Sequence, residues 1–563
     1  MEINKAEILQ KAKDYVSAEK NEVFRNEVKL SIEKNDIEDL YDRFYTTLAF
    51  GTAGMRGVIG GGTNRINTFM VKKVSQGLAS YLNAKIDNPS IAIAYDSRNY
   101  SSEFATSAAL VLAANKVKVY LYDSLRPVPM LSFALRELGA SAGIVITASH
   151  NPSKYNGYKV YWSDGGQVTP PHDIGIADRA NNVKIENIKD IDEKSARDNG
   201  YLLNVDDCVD EAYYNMVIES IRRKDLVSKS NITVAYTPLH GSGNIPVRHM
   251  LKKIGINTVV VKEQELPDGN FPTVKLPNPE SPQAMEKVIE LAKKEKADIV
   301  LGTDPDADRL GIAIPKNEEK SEYQLLSGNQ IAILLCDYLL ETAKEQNKEK
   351  IPFVAKSLVT TDLVKKITEE NGGESKDVLT GFKYIAEQIK KLENNDNKYF
   401  LFGCEESYGY LSVPQVRDKD AVSTTVLAVE MMCYLDSKGV TLNQRLDYIY
   451  EKYGFSTEVV FARDYEGASG KVEMDKIMES FHNLKVNDTL VNRKIASVED
   501  LLKESGDFAK ANVVIIKFET GEKLVVRPSG TEPKIKYYVF LSGKRSEITK
   551  KLDSLIDEFK TAL

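Results

Sequence analysis

The stretch Thr147-Ala148-Ser149-His150-Asn151-Pro152 sets a hydroxyl beside an imidazole at the end of the apolar run Gly143-Ile144-Val145-Ile146. A β-branched run ending in a polar turn reads as a buried strand that delivers a loop at its C-terminal end. Open α/β sheets bind ligands at that end. Ser149 is therefore a candidate nucleophile, with His150 and Lys159 close behind it. A Ser-His pair before a proline is also a common polar turn, because nucleophiles are defined by geometry that a sequence does not display. The loops further along the chain make the difference.

The second such loop is Gly302-Thr303-Asp304-Pro305-Asp306-Ala307-Asp308-Arg309. Carboxylates at i, i+2 and i+4 of a loop can converge on a hard divalent cation. An EF-hand opens the same way but needs Gly at its sixth position and Glu at its twelfth, where this chain has Arg309 and Pro315. Three carboxylates that leave positions open for a phosphate oxygen suit Mg²⁺. A solvated acidic turn is the plainer alternative, although acids this close repel one another without a cation. The third loop, Gly403-Cys404-Glu405-Glu406-Ser407-Tyr408-Gly409, offers acids and a hydroxyl of the kind that bind sugar hydroxyls. Arg417-Asp418-Lys419-Asp420 follows and could hold a proton-transferring lysine. The fourth, Arg527-Pro528-Ser529-Gly530-Thr531-Glu532-Pro533, combines an Arg fork, two hydroxyls and a glycine amide into a phosphate cradle. Near the start, Phe50–Gly57, Gly60-Gly61-Gly62 and Arg65 form a glycine-dense stretch that could let backbone approach a ligand, with Arg56 as a phosphate fork or the whole as a flexible hairpin. Neither a Walker A sequence nor a G-x-S-x-G elbow is present.

The elements that must carry these loops repeat a plan. Short apolar strands at Ile91–Ala94, Ile232–Ala235 and Phe353–Ala355 each open a segment. Each segment has a second strand, at Ile144–Ile146, Ile299–Leu301 and Tyr399–Leu401, ending in one of the first three loops. Helix-like stretches such as 103–114 and 283–295 lie between. Three α/β units of similar plan are the economical reading. Residues 1–48 are charged and helix-periodic, with Ile8, Leu9, Ala12, Tyr15 and Val16 on one face, and read as an extension packed on the first unit. The tail, with strands at Val513–Phe518, Leu524–Val526 and Lys536–Leu541 and an amphipathic last helix, reads as a smaller α+β domain. The expected division is 1–205 for domain 1 with the serine loop and 206–318 for domain 2 with the metal loop. Domain 3, with the sugar loop, takes 319–440, and domain 4, with the phosphate loop, takes 441–563.

A chain of 563 residues, 42% hydrophobic and 28% charged, has the composition of an ordinary globular protein with several domains. Its net charge of −7 argues against nucleic acid or an anionic membrane as partner and makes each local Arg or Lys more telling. The four cysteines show no metal or disulfide spacing and suit a reducing cytosol. With no apolar leader and no run near the roughly 18 apolar residues of a membrane span, the expected location is cytoplasmic.

Taken in order, TASHNP with Asn156-Gly157-Tyr158-Lys159, DPDADR, CEESYG and RPSGTEP resemble the α-D-phosphohexomutase superfamily from about residue 45 onward. Phe50–Gly57 and Val416-Arg417-Asp418-Lys419-Asp420 look like its phosphoglucomutase branch, in particular the type-2 phosphoglucomutase/phosphopentomutase group. The resemblance implies an α/β protein of four domains around a central cleft, the first three sharing one mixed α/β fold and the fourth a smaller α+β domain. It implies a phosphoserine at Ser149, with Mg²⁺ held beside it by Asp304, Asp306 and Asp308 and the Ser149 oxygen. Glu405 and Ser407 would hold sugar hydroxyls. Arg527, Ser529, Gly530 and Thr531 would grip the non-reacting phosphate. Arg56, His150, Lys159, Arg309 and Lys419 would line the centre, with Lys159 or Lys419 as proton-transfer group, and Arg309 and Arg417 would bind substrate.

The implied reaction interconverts glucose 1-phosphate and glucose 6-phosphate through glucose 1,6-bisphosphate, which also serves as activator. The implied partner is a small sugar phosphate, and the implied state a monomer or weak dimer. Both ends of the bisphosphate must use one cradle, for which a mobile fourth domain would be useful. Dual phosphomannomutase/phosphoglucomutases carry a histidine just after the sugar-loop serine, whereas this chain has Tyr408-Gly409-Tyr410, which weakens mannose as principal substrate. The competing expectations are a phosphopentomutase, a phosphomannomutase, a sugar-bisphosphate synthase or a metal-dependent phosphatase on the same site. A non-catalytic sugar-phosphate-binding scaffold is the alternative outside enzymes.

Overall fold

The computed structural model describes residues 4–51, 54–346, 349–465, 467–504, 506, 508–529 and 534–563. It divides into two compact units, residues 1–326 with 407–437, and residues 327–406 with 438–563. Among the described residues no helix is long and apolar enough to cross a membrane.

The first unit opens with three helices, Lys5–Ala18, Glu22–Glu33 and Ile37–Phe44. Each starts at a side chain that accepts the first-turn amides, Asn4, Asn21 and Asp36, as helix starts require. Ile8, Ala12 and Tyr15 are buried along one face of the first helix, with Leu9 and Val16 half-buried at its edge. Phe24 is fully buried and meets the rings of Tyr100 and Phe104 at 4.9 and 6.2 Å, which joins the extension to the first α/β core. Phe24→Ala should therefore destabilise this unit by about 3–5 kcal/mol, read as a lowered urea midpoint.

Two sheets follow in this unit. The first runs Met55–Val58, Tyr155–Trp162, Ala142–Ile146, Ser90–Tyr95, Lys118–Leu121, Leu202–Asn204. Its last four strands are parallel and its first two antiparallel to their neighbours. The second runs Tyr323–Leu325, Leu310–Pro315, Ile299–Thr303, Thr233–Thr237, Asn257–Val260, again parallel on one side and antiparallel on the other. The strands that deliver the serine and aspartate loops, Ala142–Ile146 and Ile299–Thr303, occupy the same place in both sheets. Each lies between a parallel and an antiparallel neighbour and is buried along its whole length. That burial on both faces is why they read as continuous apolar runs.

The second unit holds a parallel set, Glu374–Val378, Ile351–Ser357 and Lys398–Glu405. It also holds an antiparallel six-stranded sheet in the order Phe455–Asp464, Lys534–Gly543, Lys523–Pro528, Val514–Phe518, Arg493–Asp500, Thr489–Leu490, with helix Arg545–Ala562 packed on it. The fold is thus α/β for three sheets and α+β for the last. Helix Leu442–Tyr453 packs on Gly328–Glu345, where Arg445 pairs with Asp337 and Glu341. Helix Ala421–Ser437 falls in the first unit and packs on Lys224–Ser228 and Asn244–Lys253.

The glycine-dense stretch differs in part from expectation. Gly51 and Gly54 exchange backbone hydrogen bonds at 2.8 and 3.2 Å as a tight hairpin does, and beyond them Met55–Val58 is a sheet strand paired with Tyr155–Tyr158 so that Arg56 faces Gly157 in register. At Gly60-Gly61-Gly62 the close approach is to the N-terminal helices, not to an open ligand space. An added Cβ at Gly61 would overlap the Phe24 carbonyl, and one at Gly62 would sit 2.8 Å from Arg43. Arg65 pairs with Asp42 of the same helices.

Candidate active site

Ser149 lies in the turn after Ala142–Ile146 with φ 52°, a left-handed backbone rare for a residue with a side chain. The surroundings hold it there. Its amide donates to Thr147 Oγ1 at 2.8 Å. The guanidinium of buried Arg98 donates to the carbonyls of Ser149, Asn151, Pro152 and Tyr155, closing the loop from beneath. Asp96 lies 3.4 Å from that guanidinium and accepts from Thr147 Oγ1 at 2.6 Å. Ser149 Oγ donates to Asp304 Oδ2 at 2.7 Å and lies 3.2 Å from His150 Nδ1.

The aspartate loop is equally constrained. Ala307 takes φ 48°, and the Asp308 and Arg309 amides donate to Asp304 Oδ1 at 3.2 and 3.1 Å. Ser242 amide and hydroxyl both donate to the Pro305 carbonyl at 2.8 Å, so Thr237–Gly243 braces the loop. Asp304, Asp306 and Asp308 are all buried, with carboxylate oxygens within 4.8 Å of one another. Lys159 Nζ reaches Asp306 at 3.0 Å and Asp308 at 3.7 Å. Lys419 Nζ reaches Asp308 at 3.0 Å and Asp418 at 3.2 Å. Asp418 in turn accepts from Tyr161 at 2.8 Å and from Gln167 at 3.2 Å.

Electrostatics follow from this packing. Burial, then Asp306 and Asp308, push the Asp304 carboxyl well above the ordinary carboxylate range. Burial, then Asp306, raise Asp308 as well. Burial acts the same way on Asp306, yet Lys159 and the surrounding hydrogen bonds outweigh it and hold that group low. His150 is kept far below the usual imidazole range by burial first, then by Arg309 and Arg56, so it is neutral near pH 7. Arg56 also donates to Asn151 at 3.4 Å.

Of the remaining expected site residues, Ser407 stands next to Tyr408, whose φ is 66° and whose carbonyl accepts the Leu310 amide. Gly409 bridges to Arg309, and a Cβ there would overlap the Lys419 stem, so only glycine leaves that lysine its place. Arg417 is buried, its amide on Ser132 and its Nε on the Pro414 carbonyl, both at 2.8 Å. In the second unit Glu405 accepts the Gly381 amide at 2.8 Å. Glu406 accepts from Ser357 at 2.9 Å. Arg527 lies 5.9 Å over the Tyr538 ring, and burial, which opposes its charge, is outweighed by Tyr538, Glu406 and Glu405. Ser529 is described beside it, whereas Gly530 and Thr531 lie outside the described residues.

Four family models match the chain in order. They are the phosphoglucomutase/phosphomannomutase α/β/α domains I, II and III over residues 47–186, 211–317 and 327–453, and the C-terminal domain over 482–548. A phosphoglucomutase of Staphylococcus aureus (strain MRSA252) is 38% identical over 541 residues, covering 93% of this chain and 95% of the relative. The chain belongs to the phosphoglucomutase/phosphomannomutase family. The fold agrees with two solved members. Parafusin, a phosphoglucomutase from Paramecium, superimposes with a TM-score of 0.67 at 17% identity, over 92% of this chain and 96% of that one. A phosphoglucomutase/phosphomannomutase family protein from Burkholderia thailandensis gives 0.65 at 18% identity, over 92% and 98%.

The aspartate trio fits a divalent cation. Oδ1 of Asp306 and Oδ1 of Asp308 are buried and have no hydrogen-bond partner among the described residues. A buried carboxylate oxygen normally accepts a hydrogen bond, and an all-oxygen set of this kind suits a hard ion. Sequence reasoning missed Asp96, Arg98, Thr147, Tyr161 and the supporting part of Asp418. Asp96-Ser97-Arg98 ends a strand in the same way as the serine loop, which is the one signal that could have drawn attention to it.

Proposed function

We propose that the chain is a phosphoglucomutase, interconverting glucose 1-phosphate and glucose 6-phosphate through a phosphate carried on Ser149 and a glucose 1,6-bisphosphate intermediate. The observation that carries this reading is Ser149 Oγ, held by a left-handed backbone 2.7 Å from Asp304 in a buried trio of aspartates flanked by two lysines. The similarity to curated phosphoglucomutases along nearly the whole chain supports it.

In this reading the phosphoryl group passes from Ser149 Oγ to a free sugar hydroxyl. The O–P bond to serine breaks, the bond to the sugar oxygen forms, and the hydroxyl proton passes to whichever of Lys159 and Lys419 presents a neutral amine. Reversal with the intermediate turned round returns its other phosphate to Ser149. Asp304, Asp306 and Asp308, with the Ser149 oxygen, would hold Mg²⁺, which supplies neutralisation of charge on the phosphoryl oxygens. Arg56 and Arg309 add fixed positive charge on the same phosphoryl group, and neutral His150 serves as hydrogen-bond partner of the serine oxygen. Glu405 and Ser407 orient sugar hydroxyls, with Arg417 nearby in sequence. Arg527, Ser529, Gly530 and Thr531 hold the phosphate that is not reacting.

The deciding experiment is turnover of glucose 1-phosphate, mannose 1-phosphate and ribose 1-phosphate, each with a catalytic amount of its bisphosphate. Preference for glucose 1-phosphate is expected. Preference for ribose 1-phosphate would make the chain a phosphopentomutase, and phosphate release without isomerisation would make it a phosphatase. Arg527→Ala should raise KM more than it lowers kcat, because a grip on the non-reacting phosphate is common to ground and transition states. A pure kcat loss would contradict that role.

A further inference from the structure

The three N-terminal helices end before the first family domain has properly begun, since the domain I model starts at residue 47. They are nonetheless bound to the segment that carries Arg56. Glu27 Oε2 accepts the Gly61 amide at 2.8 Å and the Arg43 guanidinium at 3.1 Å. The same Arg43 nitrogen donates to the Gly61 carbonyl at 2.9 Å, so both backbone polar groups of one residue are gripped from the extension. The Asn64 amide donates to the Arg43 carbonyl at 2.9 Å. Asp39 fixes the other edge of Arg43 at 2.7 Å. The glycines leave no slack, because a Cβ at Gly57 would meet Leu48 at 2.7 Å and one at Gly62 would meet Arg43 at 2.8 Å.

This grip is short-range to the site. Gly61 is five residues from Arg56, and the intervening chain is the strand Met55–Val58, whose Val58 carbonyl accepts the Ile66 amide returning from the gripped loop at 2.9 Å. The Ile59 amide donates across to the Lys154 carbonyl at 2.8 Å, next to the strand that carries Lys159. We infer that the N-terminal extension acts in catalysis: Glu27 and Arg43 are positioning residues that hold the Met55–Ile66 segment and so set Arg56 against the Ser149 loop. This rests on the part given to Arg56 under the proposed function. The glycine cluster is then a socket for the extension, with the reacting phosphate meeting only the arginine beyond it.

The test is a double-mutant cycle on purified full-length enzyme, with Arg43→Ala, Arg56→Ala and both together, assayed for glucose 1-phosphate turnover. Arg43→Ala should lower kcat by roughly tenfold to a hundredfold, the cost of a small misplacement of a catalytic group. In the Arg56→Ala background the same change should cost less than about twofold, because the group it positions is gone. Arg43→Lys, which keeps one donor, should restore part of the loss. If Arg43→Ala does not fold, Glu27→Gln gives the same cycle with a loss of about three- to tenfold. Effects that multiply in the double variant, or a lower melting temperature with unchanged kcat, would overturn the inference and leave Arg56 in its role. Full activity of Arg56→Ala would instead remove that role, and the inference with it.

Discussion

Ser149→Ala should abolish mutase turnover, with kcat falling by at least about a thousandfold, as removal of an attacking or carrying group does. The fold should survive. Alanine and serine meet the same left-handed backbone at 149, so the φ of 52° costs both alike. The loop is held through backbone groups that the substitution leaves in place, the Arg98 grip on its carbonyls and the Thr147 contact with the 149 amide. The lost interactions are the hydrogen bond to Asp304 and the contact with His150. Two readouts separate chemistry from damage. Intact mass should show a phosphate on part of the wild-type protein and none on the variant, while the melting temperature should change by a few degrees at most. Added glucose 1,6-bisphosphate should not rescue turnover, because the acceptor oxygen is missing. Near-normal activity would remove Ser149 as phosphate carrier and, with it, the proposed mechanism.

Much of this was legible in the sequence for a physical reason. Strands buried on both faces must be apolar along their length, so Gly143–Ile146 and Ile299–Leu301 announced themselves. The loops at their ends carry hydroxyls and carboxylates, which an interior accepts only with partners. What could not be read was how the loops are braced. Thr147 was visible only as part of a motif, although its hydroxyl links the Ser149 amide, Asp96 and, at 3.1 Å, Asp306. Arg98 grips four carbonyls contributed by residues about fifty positions later, a pairing that local periodicity does not encode. The glycines at 60–62 were misread because glycine density reports close backbone approach without naming what approaches. Here it is Phe24 and Arg43. Lys419 gave a weak signal within a charged run, and its meaning came from Asp308, Asp418 and the glycine at 409 that makes room for it.

Asp306→Asn should be nearly as damaging as loss of the serine, for a different reason. Oδ2 of Asp306 is already engaged by Lys159 at 3.0 Å and Thr147 at 3.1 Å, whereas Oδ1 is buried with no hydrogen-bond partner among the described residues. That free oxygen is the one available to a cation. Asparagine keeps the size of the side chain but removes the charge, and its amide can turn a donor toward the metal position. Transfer should fall by about a hundredfold or more even in excess Mg²⁺, in the range seen when one charge-stabilising group is lost. Stability should fall as well. Burial, then the neighbouring carboxylates, push Asp304 and Asp308 above the ordinary carboxylate range, but Lys159 and its hydrogen bonds hold Asp306 below it, so the Asp306 charge stabilises the fold. Asparagine removes that charge from Lys159, 3.0 Å away, so the melting temperature of the metal-free protein should drop. The increase in melting temperature on adding Mg²⁺, which reports binding to the folded state, should shrink or vanish. Unaffected turnover would refute the metal site. Lost turnover with an intact Mg²⁺-induced shift would move Asp306 from holding the cation to holding Lys159.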